Sequence, residues 1–189
     1  MPICKLVTYQ NPNYIREGCG KFSDDESYET IYNYLTGNSN CSDGYYYSEK
    51  MPHNLHGSRC LDYYRAPQEM QAVAKAFDKD EGIKVRHYIM SLSQEECNML
   101  GSSPYSSCVD LADMAEKFLD CFHGEYQCYY CVHENTDNPH VHICCSTVNF
   151  KTGRKYPGDK KSYFSIQNEM NQYLHDEYGL HLRMVPDDS

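Results

Sequence analysis

The sequence predicts an α+β fold, an antiparallel β-sheet with helices packed mainly on one face. Three observations lead there. The stretch Tyr129 to Asn149, YYCVHENTDNPHVHICCSTVN, places two runs rich in β-branched, aromatic and cysteine residues on either side of the turn-forming segment Asn135-Thr136-Asp137-Asn138-Pro139. That is the pattern of two adjacent antiparallel strands. Other stretches repeat apolar residues at helical spacing. The order strand, helix, helix, strand, helix, two strands, helix suits a sheet with helices layered on one side, leaving the other side free to carry a site.

Taken in order, Ile3 to Tyr9 reads as a first strand, followed by a Gly/Asn/Pro-containing loop to Lys21. Ser23-Asp24-Asp25-Glu26 supplies capping oxygens for a helix with Tyr28, Ile31, Tyr32 and Leu35 on one stripe and Gly37 at its end. Tyr34 sits about a quarter turn off that stripe, which makes it the tyrosine least committed to the core. Asn38 to Ala66 lacks periodicity and reads as a long loop with room for a short hairpin. Pro67 opens a helix carrying Met70, Val73, Ala74 and Phe77. Lys84 to Leu92 alternates as a strand with Val85, His87, Ile89 and Ser91 on one side. Ser107-x-x-Asp110 resembles a capping box, and the apolar stripe from Cys108 to Phe122 defines a helix. Asp159 caps a last helix that ends at Gly179.

At 189 residues, with no Ser/Gly/Pro-rich linker, the expectation is one domain over 1–189. The chain has no apolar run of membrane-spanning length and no amino-terminal signal pattern, so a cytoplasmic protein is expected. The odd count of 11 cysteines argues for reduced thiols, most of them small core residues. Cys128 and Cys131 form a CxxC, yet residues three apart on a strand face opposite ways, which argues against a shared zinc. A net charge of −10 disfavours non-specific nucleic-acid binding over the whole surface. Any such contact must be local, and Lys151, Arg154, Lys155, Lys160 and Lys161 place five of the 17 basic residues in one short run. That run reads either as a phosphate-binding patch or as a solvated face.

The chemistry gathers on the paired strands. His140 and His142 are two apart, so their imidazoles share a face, and His133 meets them across the pair. Three neutral nitrogen donors on a sheet face make an open metal site with positions left for substrate oxygens or water.

The run His133-Glu-Asn-Thr-Asp-Asn-Pro-His140-Val-His142-Ile resembles the three-histidine motif of plasmid relaxases, the mobilisation nucleases of the HUH endonuclease superfamily. Ile31-Tyr-Asn-Tyr34-Leu-Thr is similar to that family's first motif, and His87-Tyr-Ile-Met-Ser91-Leu to its second. Together they cover about Tyr28 to Leu180. The resemblance implies an HUH-like fold, Tyr34 as nucleophile, Ser91 as a DNA contact, and a divalent metal, magnesium or manganese, on His133, His140 and His142. It implies cleavage and rejoining of single-stranded DNA at an origin of transfer through a 5′-phosphotyrosyl link, by a monomer working with accessory mobilisation proteins. A phenol is a poor nucleophile until assisted. Asp137, Glu134 or a metal-bound hydroxide could assist Tyr34. The chain departs from the family pattern at Asn135 and Ser146, where aspartate and asparagine are common. It is also shorter than most members, as a small relaxase or an excised domain would be. Two alternatives stay open: a replication-initiation or transposition nuclease of the superfamily, which usually carries two motif histidines, and a non-catalytic nucleic-acid-binding protein.

Overall fold

In a computed structural model that describes residues 2–6, 22–23, 26–37, 50–101 and 103–186, the strands form one sheet. They are β1 (Ile3–Leu6), β2 (His56–Arg59), β3 (Val85–Ser91), β4 (Tyr126–His133), β5 (His140–Asn149) and β6 (Arg183–Pro186). The spatial order is β2-β4-β5-β3-β1-β6, antiparallel throughout except for the parallel edge pair β1 and β6. β4 and β5 are the expected pair, and with β3 they occupy the middle, buried on both faces.

Register follows from which residues must be inside. His133 pairs with His140, Cys131 with His142 and Tyr129 with Cys144, while on β3 Ser91 pairs with His140 and His87 with Cys144. A slip of one residue would move every one of these side chains to the opposite face. Cys131 and Cys128 do lie on opposite faces, in separate apolar clusters, and Cys60, Cys97, Cys108, Cys121, Cys128, Cys131, Cys144 and Cys145 are free thiols.

Among the described residues five α-helices flank the sheet: α1 (Ser27–Thr36), α2 (Ala66–Ala76), α3 (Gln94–Leu100), α4 (Pro104–Asp120) and α5 (Lys160–Tyr178). The longest, α4 and α5, bury Leu111, Phe118, Leu119, Ile166 and Met170 against Tyr88, Met90, Val132, Val141 and Ile143. The other face is not left free: α1 and α2 cover part of it, packing Tyr28, Ile31, Leu35, Met70 and Ala74 over Tyr129, Cys131 and Cys144. This packing buries the apolar stripe of α1.

Local signals account for most boundaries. Asp159 accepts a hydrogen bond from Ser162 N at 2.8 Å and starts α5. Gly37, with φ 78°, ends α1 in the left-handed region that glycine enters without strain. Two starts differ from expectation. α4 begins at Pro104 with Ser103 as its cap, so Ser107 lies inside the helix, buried, and not at a capping box. A proline at the first helical position already has the required φ, and the earlier start costs no hydrogen bond. α3 was not anticipated, although Ser93 and Glu96 form a full capping box. Asp24, Asp25, the expected loop to Lys21, the end of the first strand beyond Leu6 and residues 38–49 lie outside the described residues.

Candidate metal and nucleic-acid site

The end of α1 meets the end of the β4–β5 pair. The last carbonyls of a helix lack partners within it. Here Asn33 O accepts from Gly37 N at 3.0 Å, Tyr34 O from Lys50 Nζ at 3.0 Å, and Leu35 O from His133 Nε2 at 2.7 Å. One of the three histidines therefore ties α1 to the sheet. The negative end of the helix dipole faces the histidine cluster, a setting that favours a cation.

His133, His140 and His142 offer ligand atoms that lie within 4.8 Å of one another. Each ring has one nitrogen already engaged. His133 Nε2 is on Leu35 O, His140 Nδ1 donates to Asn138 O at 3.1 Å, and His142 Nδ1 meets His87 Nε2 at 2.8 Å. The second nitrogen of each ring is left for a shared ion, and outer partners of this kind fix ring tautomer and direction in metal sites. Burial pulls His133 down to about 4, against the opposing effect of its bond to Leu35. Burial also lowers His140 and holds His142 well below the ordinary histidine value, with the neighbouring imidazoles and Lys50 adding to it. All three are thus neutral near pH 7, the form that binds metal. The donor set fits a divalent ion.

Tyr34 stands beside this cluster. Its ring meets His142 edge-on at 5.8 Å and is 54% exposed, whereas Tyr28 and Tyr32 are 3% and 7% exposed and packed in the core. Lys50 lies over the Tyr34 ring, 4.5 Å from its centroid. Ser91 shares the face of His140 through register, with its hydroxyl donating to Pro139 O at 3.4 Å.

The remaining expected residues are elsewhere. The structure does not bring Glu134 or Asp137 to Tyr34. Glu134 follows the last residue of β4 and turns to the α4 side, where its carboxylate binds His53 Nδ1 at 2.6 Å. Asp137 is exposed in the β4–β5 turn, its carbonyl held by Gln94 Nε2. The basic run begins just past Asn149, the far end of β5, nine residues from His140 and so about 30 Å away along the strand. Within it Lys151, Arg154, Lys160 and Lys161 are exposed, while Lys155 Nζ donates to Glu81 O and Ile83 O. Two site residues were missed. His87 carried a signal, lying in register with the histidine face of a neighbouring strand. Lys50 carried none, since it follows an aperiodic stretch.

Comparison with known proteins bears on the family and the fold. The family model described as Relaxase, MobA/VirD2-like, nuclease domain, matches residues 40–180. A curated Staphylococcus aureus protein called rlx is 28% identical over 140 residues, covering 71% of this chain and 39% of the relative, and another rlx of that organism is 26% identical over 140 residues, covering 71% and 38%. The chain thus spans about two fifths of the length of these relatives. Among solved structures, the MobM relaxase domain bound to plasmid pMV158 oriT DNA, in a manganese-bound crystal structure, shares the fold with a TM-score of 0.57 and 12% identity, over 95% of this chain and 88% of that one.

Proposed function

This chain belongs to the relaxase family of MobA/VirD2-like nuclease domains, and from that premise we propose that it is a metal-dependent, site-specific single-stranded DNA endonuclease and strand transferase that nicks an origin of transfer through a 5′-phosphotyrosyl link on Tyr34, in conjugative mobilisation. The observation that carries the reading is the convergence of three neutral histidines, each oriented by an outer partner, beside the one exposed tyrosine of α1. A divalent ion held there, magnesium or manganese, would draw charge from a non-bridging oxygen of the scissile phosphate. Tyr34 Oη bonds to phosphorus, the bond to the 3′ oxygen breaks, and that oxygen leaves as a hydroxyl while the phenol gives up its proton. The bond energy is kept in the protein–DNA ester, so the reverse step rejoins the ends.

Lys50 supplies positive charge at this point of an acidic protein. With its ammonium fixed by Tyr34 O and lying over the Tyr34 ring, it is placed to meet a phosphate oxygen of the strand. Ser91 is the expected contact beside the cleavage step. The exposed members of the basic run hold phosphates farther along the strand.

Labelled single-stranded oligonucleotides from the chain's own genetic neighbourhood test this, with and without manganese, on denaturing gels. A protein–DNA adduct should form with the ion, persist in Tyr32→Phe and vanish in Tyr34→Phe while binding is retained. Binding with no adduct in the unaltered protein would leave a non-catalytic binding protein, and an adduct mapped to another tyrosine would overturn Tyr34.

A further inference from the structure

Behind the histidine cluster, on the α4 side of the sheet, a cavity of about 410 Å³ opens between α3, the start of α4 and the β4–β5 turn. Its wall mixes apolar surface from Cys97, Cys108 and Pro139 with the polar side chains of Gln94, Asn98, Ser107, Glu134, Thr136 and Asp137, and no lysine, arginine or histidine lines it among the described residues. It adjoins the proposed nick site through the chain itself. Glu134 follows His133 and Pro139 precedes His140, so the cavity and the metal ligands share one edge of the sheet. Ser107 is 1% exposed, and its hydroxyl has no hydrogen-bond partner among the described residues. Leaving a buried hydroxyl unsatisfied is unfavourable, which calls for an explanation. A ligand in the cavity would supply one. The wall is also braced: His53 holds Glu134 and lies against Tyr105 with ring centroids 4.6 Å apart, while Gln94 holds the turn at Asp137 O.

We propose that this cavity is a nucleobase pocket, taking one unstacked base of the bound single strand next to the cleavage step and reading its exocyclic amino group with the carboxylates of Glu134 and Asp137. The proposal rests on the reading that the chain binds single-stranded DNA. A wall with two carboxylates and no lysine or arginine among the described residues disfavours phosphate, so the base enters and the backbone stays outside. The volume lies at the small end of ligand pockets, enough for a base and not for a run of nucleotides. Carboxylates accept from the amino group of cytosine, and guanine and adenine carry amino donors too. Thymine has none and is disfavoured.

The test uses the full chain, isotope-labelled and metal-free, titrated with each of the four 2′-deoxynucleoside monophosphates and followed by amide NMR. Saturable shifts should appear at Gln94, Asn98, Ser107 and Thr136 for one or more of the amino-bearing nucleotides, with the thymidine nucleotide weaker by about tenfold. Asn98→Trp, an exposed substitution at the mouth, should keep the fold and remove the shifts, and Ser107→Val should weaken them. In oligonucleotides bound by the protein, an abasic site at a single position should cost about tenfold in affinity. Equal response to all four nucleotides, shifts surviving Asn98→Trp, or no shifts at these residues overturns the pocket. Shifts with no sensitive position in any bound oligonucleotide also overturn it, in favour of a free-nucleotide site. Absence of a manganese-dependent adduct would sink the nuclease reading without touching these shifts, so the two failures are distinguishable.

Discussion

The two faces of this sheet are built from alternate residues of the same strands and do opposite work. Toward α4 and α5, β4 and β5 present Val132, Val141 and Ile143 to leucine, methionine and phenylalanine, a continuous apolar layer. Toward α1 the same strands present Tyr129, Cys131 and Cys144, and then, at one end, His133 and His142, where α1 stops. A strand period of two lets one segment supply a stabilising face and a chemical face together. The chemical face still needs burial, since burial keeps the imidazoles neutral, and the aromatic half of the same layer provides it. Stability should therefore depend chiefly on one face and reactivity on the other.

The largest effect expected is on the apolar face. Phe118→Ala should lower unfolding free energy by about 3–5 kcal/mol, measured by denaturant titration, because Phe118 is fully buried between Tyr88 and Phe122. Metal binding in the molecules that remain folded should persist. His140→Ala, at the half-exposed rim of the other face, should do the converse: abolish metal binding and the DNA adduct while stability moves by no more than about 0.5 kcal/mol. If His140→Ala destabilises as strongly as Phe118→Ala, the division fails and the histidines are structural.

A pH titration of the metal-free protein sharpens the same contrast. His133 is held at about 4 against an ordinary 6.5, and His142 lies lower than normal as well, both chiefly through burial. The unfolded chain therefore binds protons that the folded chain refuses. Stability falls as pH drops from about 6.5 toward about 4, is lost through that window, and changes little from these groups above it. Calorimetry of Phe118→Ala should show the same pH dependence displaced downward as a whole, since its cluster holds only apolar, cysteine and tyrosine side chains. A flat profile in the unaltered protein would mean that the imidazoles are not desolvated.

Within the chemical face, His87 separates a ligand from its support. A metal on His142 Nε2 requires the proton on Nδ1, which then donates to His87 Nε2 at 2.8 Å. His87→Phe keeps the ring packing and loses the acceptor. Manganese affinity by calorimetric titration should fall about 10–100-fold with the thermal midpoint nearly unchanged. Unaltered affinity would show that His142 is oriented by packing alone.

The parts of this arrangement legible in the sequence were the local ones. The hairpin was readable because alternation, turn residues and histidine spacing coincide, and α1, α2, α4 and α5 because an apolar stripe has a period. β2 and β6 are four residues long, too short for alternation to register, and both find their pairing only in the assembled sheet. The clustering of His133, His140 and His142 likewise follows from strand period. What the sequence hid was tertiary: that Glu134, one residue past a ligand, turns to the opposite side, that Lys50 arrives from a stretch without pattern, and that α1 roofs the site through Leu35 O.

The smallest effect concerns charge at a distance. Lys50 and the exposed members of the run Lys151 to Lys161 are both cations on an acidic protein, yet only Lys50 adjoins Tyr34, while the run starts about 30 Å from His140 along β5. A phosphate contact to single-stranded DNA contributes about 0.7 to the slope of log affinity against log salt wherever it lies. Replacing Lys151, Arg154 and Lys161 by glutamine together should therefore lower that slope by about 2, with the rate of adduct formation at saturating DNA unchanged. Lys50→Met should lower the slope by less than 1 and yet slow adduct formation at saturation, because its charge is needed where charge develops. An unchanged slope in the triple variant would reduce the run to a solvated face. Equal loss of rate in both variants would mean that the far end of the sheet positions the scissile phosphate, and the division of labour would then run along the strands as well as across them.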